Sequence, residues 1–156
     1  MGDSLLLAME IIKKNRDLNG EPTLHGGLFC GFTPLHLKTF FYATLCEQSP
    51  NKRIVLNEGV YGDLLGSLLK QKDEGGNLDF IAVTMEWEDF DARLGLRSIA
   101  GWSVYPYEDM LSSVRMKAAL FRSCFEQLSK SQRVVVSLPV SPFLPLHFSS
   151  PGEVSL

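Results

Sequence analysis

Residues 24–34 read Leu-His-Gly-Gly-Leu-Phe-Cys-Gly-Phe-Thr-Pro. The apolar run with glycines predicts a buried strand at about 27–31. Thr33 then suits a helix N-cap, and Pro34 suits the first helical position, where its missing N–H costs nothing. Leu37, Phe41 and Leu45 mark the core face of a helix running to about Gln48, and Ser49-Pro50-Asn51 ends it. A strand, a tight turn and a helix in that order are the start of a βαβ unit.

The same alternation continues. Lys52–Asn57 predicts a second strand, and 60–72 a helix with Leu64, Leu65, Leu68 and Leu69 on one side. Asp79–Met85 predicts a third strand, continuously apolar as in a sheet covered on both faces. A helix over 107–130 with Met110, Val114, Phe121, Phe125 and Leu128 inward follows, then a fourth strand at Arg133–Leu138. An amphipathic helix over 3–16, with Leu5, Met9 and Ile12 on one stripe, precedes the whole. Helices of this length between strands imply parallel pairing with right-handed crossovers. The fold class is α/β, three-layered, with about four parallel strands in order 2-1-3-4 and helices on both faces.

The 156 residues suit one domain. Residues 1–22 form its N-terminal helix and link. Residues 139–156 form a proline-rich tail, with prolines at 139, 142, 145 and 151. Hydrophobic residues make up 45% and charged residues 21%, which argues against disorder. The net charge of −3, with no run of five like charges, argues against a nucleic-acid face. No run of 18 apolar residues exists and the N-terminus lacks a basic leader, so neither a membrane span nor a signal peptide is expected. Cys30, Cys46 and Cys124 are odd in number and form no CxxC pair, so buried free thiols in the cytoplasm are the expectation, with no metal. GxGxxG and GxxxxGK[ST] are absent, and no cofactor is expected.

In an open parallel sheet, ligands bind beyond the carboxyl ends of the strands, where the strand order reverses. For order 2-1-3-4 that point lies between strands one and three. Two segments meet there: Gly31-Phe32-Thr33-Pro34, whose backbone N–H groups suit an anion or oxyanion, and Met85-Glu86-Trp87-Glu88-Asp89. Glu86, Glu88, Asp89 and Asp91 offer acid-base chemistry or, more plainly, a solvated loop paired with Arg93 and Arg97. Residues 86–105 fit no regular element beyond a short helix near 90–94, and irregular stretches of that length are often functional. Trp87 and Trp102 flank it.

Thr33 has two readings, a cap or a nucleophile, and the second needs a base. His25 belongs near the opposite end of the sheet, His36 on the helix surface, and His147 beyond strand four, on the correct side of the sheet. Gly2-Asp3-Ser4-Leu5 spells an esterase signature, but no strand precedes it, so it reads as helix capping.

Taken together, Gly31-Phe32-Thr33-Pro34, Gly59-Val60-Tyr61 with Asp63-Leu64-Leu65, Val83 to Asp89, Arg93-Leu94-Gly95-Leu96-Arg97 and Gly101-Trp102 resemble the N-terminal domain of FkbH-like proteins. These are haloacid-dehalogenase subfamily IIIC proteins of polyketide and related biosynthesis. The resemblance, over about residues 24–140, implies a flavodoxin/SGNH-like fold and a place beside an acyl carrier protein or a downstream catalytic domain. That family's phosphatase motif is missing, since the only Asp-x-Asp is Asp89-Phe90-Asp91, and no late Asp-x-x-His pair exists. The expectation is therefore an accessory or recognition domain binding a carrier protein, acyl group or partner domain. Its site residues would be Gly31, Phe32, Glu86, Trp87, Arg97 and Trp102, with Thr33 as the one catalytic candidate. Two alternatives remain: a small SGNH-type ester hydrolase using Thr33, and a flavodoxin-like signalling or binding module. A complete SGNH enzyme needs a further strand and a final Asp/His loop, so the chain reads as a minimal or truncated domain.

Overall fold

A computed structural model describes residues 2–18, 22–94 and 107–139. The elements in chain order are α1 (Gly2–Arg16), β1 (Thr23–Cys30), α2 (Leu35–Gln48), β2 (Arg53–Glu58), α3 (Leu64–Glu74), β3 (Phe80–Thr84), α4 (Trp87–Phe90), a 3-10 turn (Ala92–Leu94), α5 (Tyr107–Leu128) and β4 (Arg133–Ser137). The four strands form one all-parallel sheet in order β2-β1-β3-β4. The α/β class and the strand order are those expected from the sequence.

Two cores lie on opposite faces of the sheet. The larger gathers Phe29, Ile81 and Val83 from the strands with Leu64 and Leu68 of α3 and Phe121, Cys124 and Leu128 of α5. The smaller joins Tyr42 and Cys46 of α2 to Ile54 of β2, with Ile11 and Ile12 of α1 against them. Asn15 fixes the end of α1 to the start of β2. It is buried, its Nδ2 donates to the Lys52 carbonyl at 2.8 Å and its Oδ1 accepts from the Ile54 amide at 2.9 Å. A buried amide satisfied on both sides specifies position as well as energy.

The paired glycines of β1 are explained by their neighbours. A Cβ on Gly26 would stand 2.2 Å from Cζ of Phe80, its partner across the β1–β3 register. The Phe80 ring therefore lies over β1 and meets Phe41 of α2 edge-on, with centroids 6.2 Å apart. Asp63 starts α3 by accepting from the Gly66 amide at 2.9 Å, so this helix begins at 64 rather than 60. Gly75, at φ 60°, closes it in the left-handed region that suits glycine.

Several helix faces differ from the pattern read above. In α1 the buried positions are Ala8 and Asn15, while Met9 is 56% exposed. In α2 they are Tyr42, Ala43 and Cys46, while Leu37 is largely open. Both helices turn by about one residue because a polar anchor, Asn15 or the Tyr42 hydroxyl on the Ile54 carbonyl, decides which side faces in. Thr33 does not cap α2: Pro34 occupies the cap position and no side-chain cap bond forms. β1 begins four residues earlier than read, at Thr23, because β2 pairs with it from Arg53 onward. Among the described residues the two faces of β3 are covered unequally. Only Ile81 and Val83, on the α3/α5 side, are buried, and neighbouring Val135 of β4 is 66% exposed on the other.

Candidate functional site

The reversal of strand order lies between β1 and β3, and the segments after them meet at the carboxyl end of the sheet. Gly31 follows β1, and its carbonyl accepts from the Gly62 amide at 3.0 Å, which draws the loop after β2 alongside. That loop is held from below as well: the Val60 amide donates to Ser67 Oγ at 2.7 Å, and the same hydroxyl donates to the Asp63 carbonyl. Leu35, Val60 and Tyr61 project from this end 71%, 62% and 68% exposed.

After β3 the chain turns into α4. The Met85 amide donates to the Ser137 carbonyl of β4, and the Glu86 amide donates to Asp89 Oδ2 at 2.7 Å. Asp89 thus reaches back to hold the turn, and its other carboxylate oxygen lies against Gly31. Burial pushes its carboxyl above the usual range, while the Glu86 amide and Lys117 pull the other way. Beneath it, Cys30 is buried. Desolvation first, then the charges of Asp89, Glu58 and Glu86, push its thiol up to about 11. A thiol so placed is not a nucleophile at neutral pH.

The charges here bear on the anion site expected at Gly31–Pro34. The Leu35 amide is taken by the Thr33 carbonyl at 3.0 Å, and three carboxylates act on the same small volume. Lys38 neutralises one of them by pairing with Glu58. The arrangement suits neutral or cationic groups and disfavours a bare anion. Among the described residues, no group of three or more His, Cys, Asp and Glu is set to hold a metal ion.

Of the residues named from the sequence, Gly31, Phe32, Thr33, Glu86 and Trp87 do come to this one end of the sheet. Thr33 is exposed, and its hydroxyl makes no hydrogen bond among the described residues. His25 sits in β1 at the other end, where its amide donates to Asp79 Oδ2 at 2.8 Å, and His36 is exposed in the first turn of α2. Arg97, Trp102 and His147 lie outside the described residues. Asp91 is not part of a solvated run. It is buried and takes three bonds from Arg93, from its amide, Nε and Nη2, while Nη1 reaches Asp109 of α5 at 2.9 Å. That pairing, with Ser113 as a further donor, holds the Asp91 carboxyl far below the carboxylate range. Arg93 thereby links the 3-10 turn to the first turn of α5.

Sequence reasoning missed Asp89 as the lock on this turn. The signal was present in the three-residue spacing from Glu86 to Asp89 next to a glycine at 31, but capping by an acidic third residue is degenerate. Comparison with protein-family models, with curated proteins and with solved structures finds no match. Among the described residues, no helix is long and apolar enough to cross a membrane.

Proposed function

We propose that this chain is a recognition domain of the FkbH-like kind, whose carboxyl-end surface binds an acyl group carried by a partner protein or domain. The observation that carries this reading is the set of exposed apolar side chains Leu35, Val60 and Tyr61 at this end of the sheet, in a loop pair locked by the Gly62–Gly31 bond. Exposed apolar residues on a hydrogen-bonded frame suit docking, because little ordering cost remains to be met on binding. The acidic floor of Glu58, Glu86 and Asp89 favours an uncharged acyl chain over a free carboxylate. Catalysis is not required by this reading: among the described residues Thr33 has no base bonded to it, and the Cys30 thiol stays protonated.

The test is an amide NMR titration of the chain with acyl-loaded and unloaded acyl carrier protein. Shifts at 31–35, 59–62 and 86–90 with the loaded form, lost in Val60→Ser/Tyr61→Ser, are expected. Equal shifts with both forms, or none at these positions, would refute the reading.

A further inference from the structure

A second surface lies on the side of the domain formed by α1 and α2. Both helices run from the carboxyl end of the sheet toward its amino end, and a groove of about 560 Å³ opens between them. Its apolar floor is Leu6, Met9 and Ile12 of α1, with Thr39 and Tyr42 of α2 as the opposite wall. Leu6 and Met9 are 63% and 56% exposed, although the side of α1 that packs on the domain is carried by Ala8 and Asn15. Lys13 and Arg16 stand at the far end, exposed and with no ion pair among the described residues. Lys38 also lines the groove but is paired with Glu58, and Glu10 is the one anion in the lining. The groove is thus apolar at one end and carries excess positive charge at the other, in a chain of net charge −3.

From this geometry we infer that the α1/α2 groove docks an amphipathic helix of another protein, apolar where it meets Leu6 and Met9 and acidic where it meets Lys13 and Arg16. The eleven residues from Leu6 to Arg16 span about 15 Å of helix, the length of nearly three turns of a partner. A helix laid in such a groove buries anchors one turn apart and leaves its charged flank to pair at the rim. The shape argues against a small amphiphile, because small-ligand sites enclose most of their ligand and this groove is open along its length. It also argues against a membrane surface. Helices that lie on bilayers present a convex apolar face, whereas the apolar atoms here line a furrow between two helices. The surface is separate from the carboxyl-end site, and the inference stands whether or not that site binds acyl groups.

The experiment uses the full chain and fluorescence anisotropy of labelled 18-residue helical peptides, one built of leucine and glutamate, the other of leucine and lysine. The acidic peptide should bind and the basic one should not. Lys13→Glu/Arg16→Glu should weaken the acidic peptide at least about tenfold and bring in the basic one. Leu6→Asp should abolish binding of the acidic peptide, with circular dichroism unchanged because the site is exposed. Equal binding of the two peptides overturns the inference, as does no binding of either. Capture of dodecanoate, or of phosphatidylglycerol vesicles, without peptide binding would overturn it too.

Discussion

Asp89 lies so close over Gly31 that a Cβ placed there would stand 2.0 Å from its Oδ1. The contact joins the segment after β1 to the segment after β3, so the site depends on a glycine for space rather than for backbone freedom. Gly31→Ala should force Asp89 off the Glu86 amide and destabilise the fold by about 1–3 kcal/mol, the usual cost of overpacking. The double variant Gly31→Ala/Asp89→Ala should recover part of that loss, which urea denaturation of the wild type, the two single variants and the double would measure. Additive losses would show that the two residues do not act on one another.

The burial of the thiols makes a pH prediction with a definite sign. Cys30 and Cys46 are each pushed up to about 11, Cys30 by desolvation and then by Asp89, Glu58 and Glu86, and Cys46 chiefly by desolvation. An unfolded thiol releases its proton near 8.5, so above that pH the unfolded chain loses protons that the folded chain keeps. The contribution is fully present below about 8.5 and is lost as pH rises toward 11. Thiolate absorbance of the native protein should therefore appear near pH 11, and Asp89→Asn should bring the Cys30 part of it to lower pH. Native thiolate formed near pH 9 would contradict the placement of these side chains.

Asp91 gives the opposite sign. Its carboxyl is held low first by the Arg93 side chain, so its contribution is present above about pH 4, the unfolded value, and is lost as pH falls further. Arg93→Gln leaves a buried carboxylate without its partner, a change more damaging than removing both charges. Arg93→Gln should be less stable than Asp91→Asn/Arg93→Gln at pH 7. The gap between Arg93→Gln and the wild type should narrow below pH 4. Urea midpoints at pH 7 and pH 3 check both statements.

The sheet was legible in the sequence because each strand is a short apolar or β-branched run bounded by breakers, and helices between strands leave only parallel pairing. Which segments meet at the carboxyl end of the sheet followed from strand order. What could not be read were the contacts that decide which way a helix faces. Leu5, Met9 and Ile12 form a plausible stripe on α1, yet Asn15 turns the helix so that Ala8 is buried and Met9 is exposed. Thr33-Pro34 has the spacing of a cap, yet the Thr33 hydroxyl makes no bond to the helix. Such outcomes depend on polar partners distant in sequence, as Asn15 to Ile54 or Gly31 to Asp89, and no local pattern encodes them.

The two faces of the sheet should respond unequally to substitution at its β3–β4 end. Ile81 is wholly buried between β3 and the α3/α5 layer, whereas Val135, on the neighbouring strand, is 66% exposed on the opposite face. Ile81→Ala removes buried methylene and methyl groups from a close-packed core and should cost about 3 kcal/mol. Val135→Thr keeps the β-branch and changes only an exposed atom, so it should stay within about 0.5 kcal/mol. Solubility adds a second readout. β4 has only β3 hydrogen-bonded beside it among the described strands, and its Val134-Val135-Val136 run is a template for unwanted pairing. Val135→Lys should then raise the concentration at which the protein aggregates without lowering its urea midpoint by more than about 1 kcal/mol equivalent. A large loss of stability in Val135→Thr would mean that this face is covered in the folded protein, and the asymmetry between the two faces would be withdrawn.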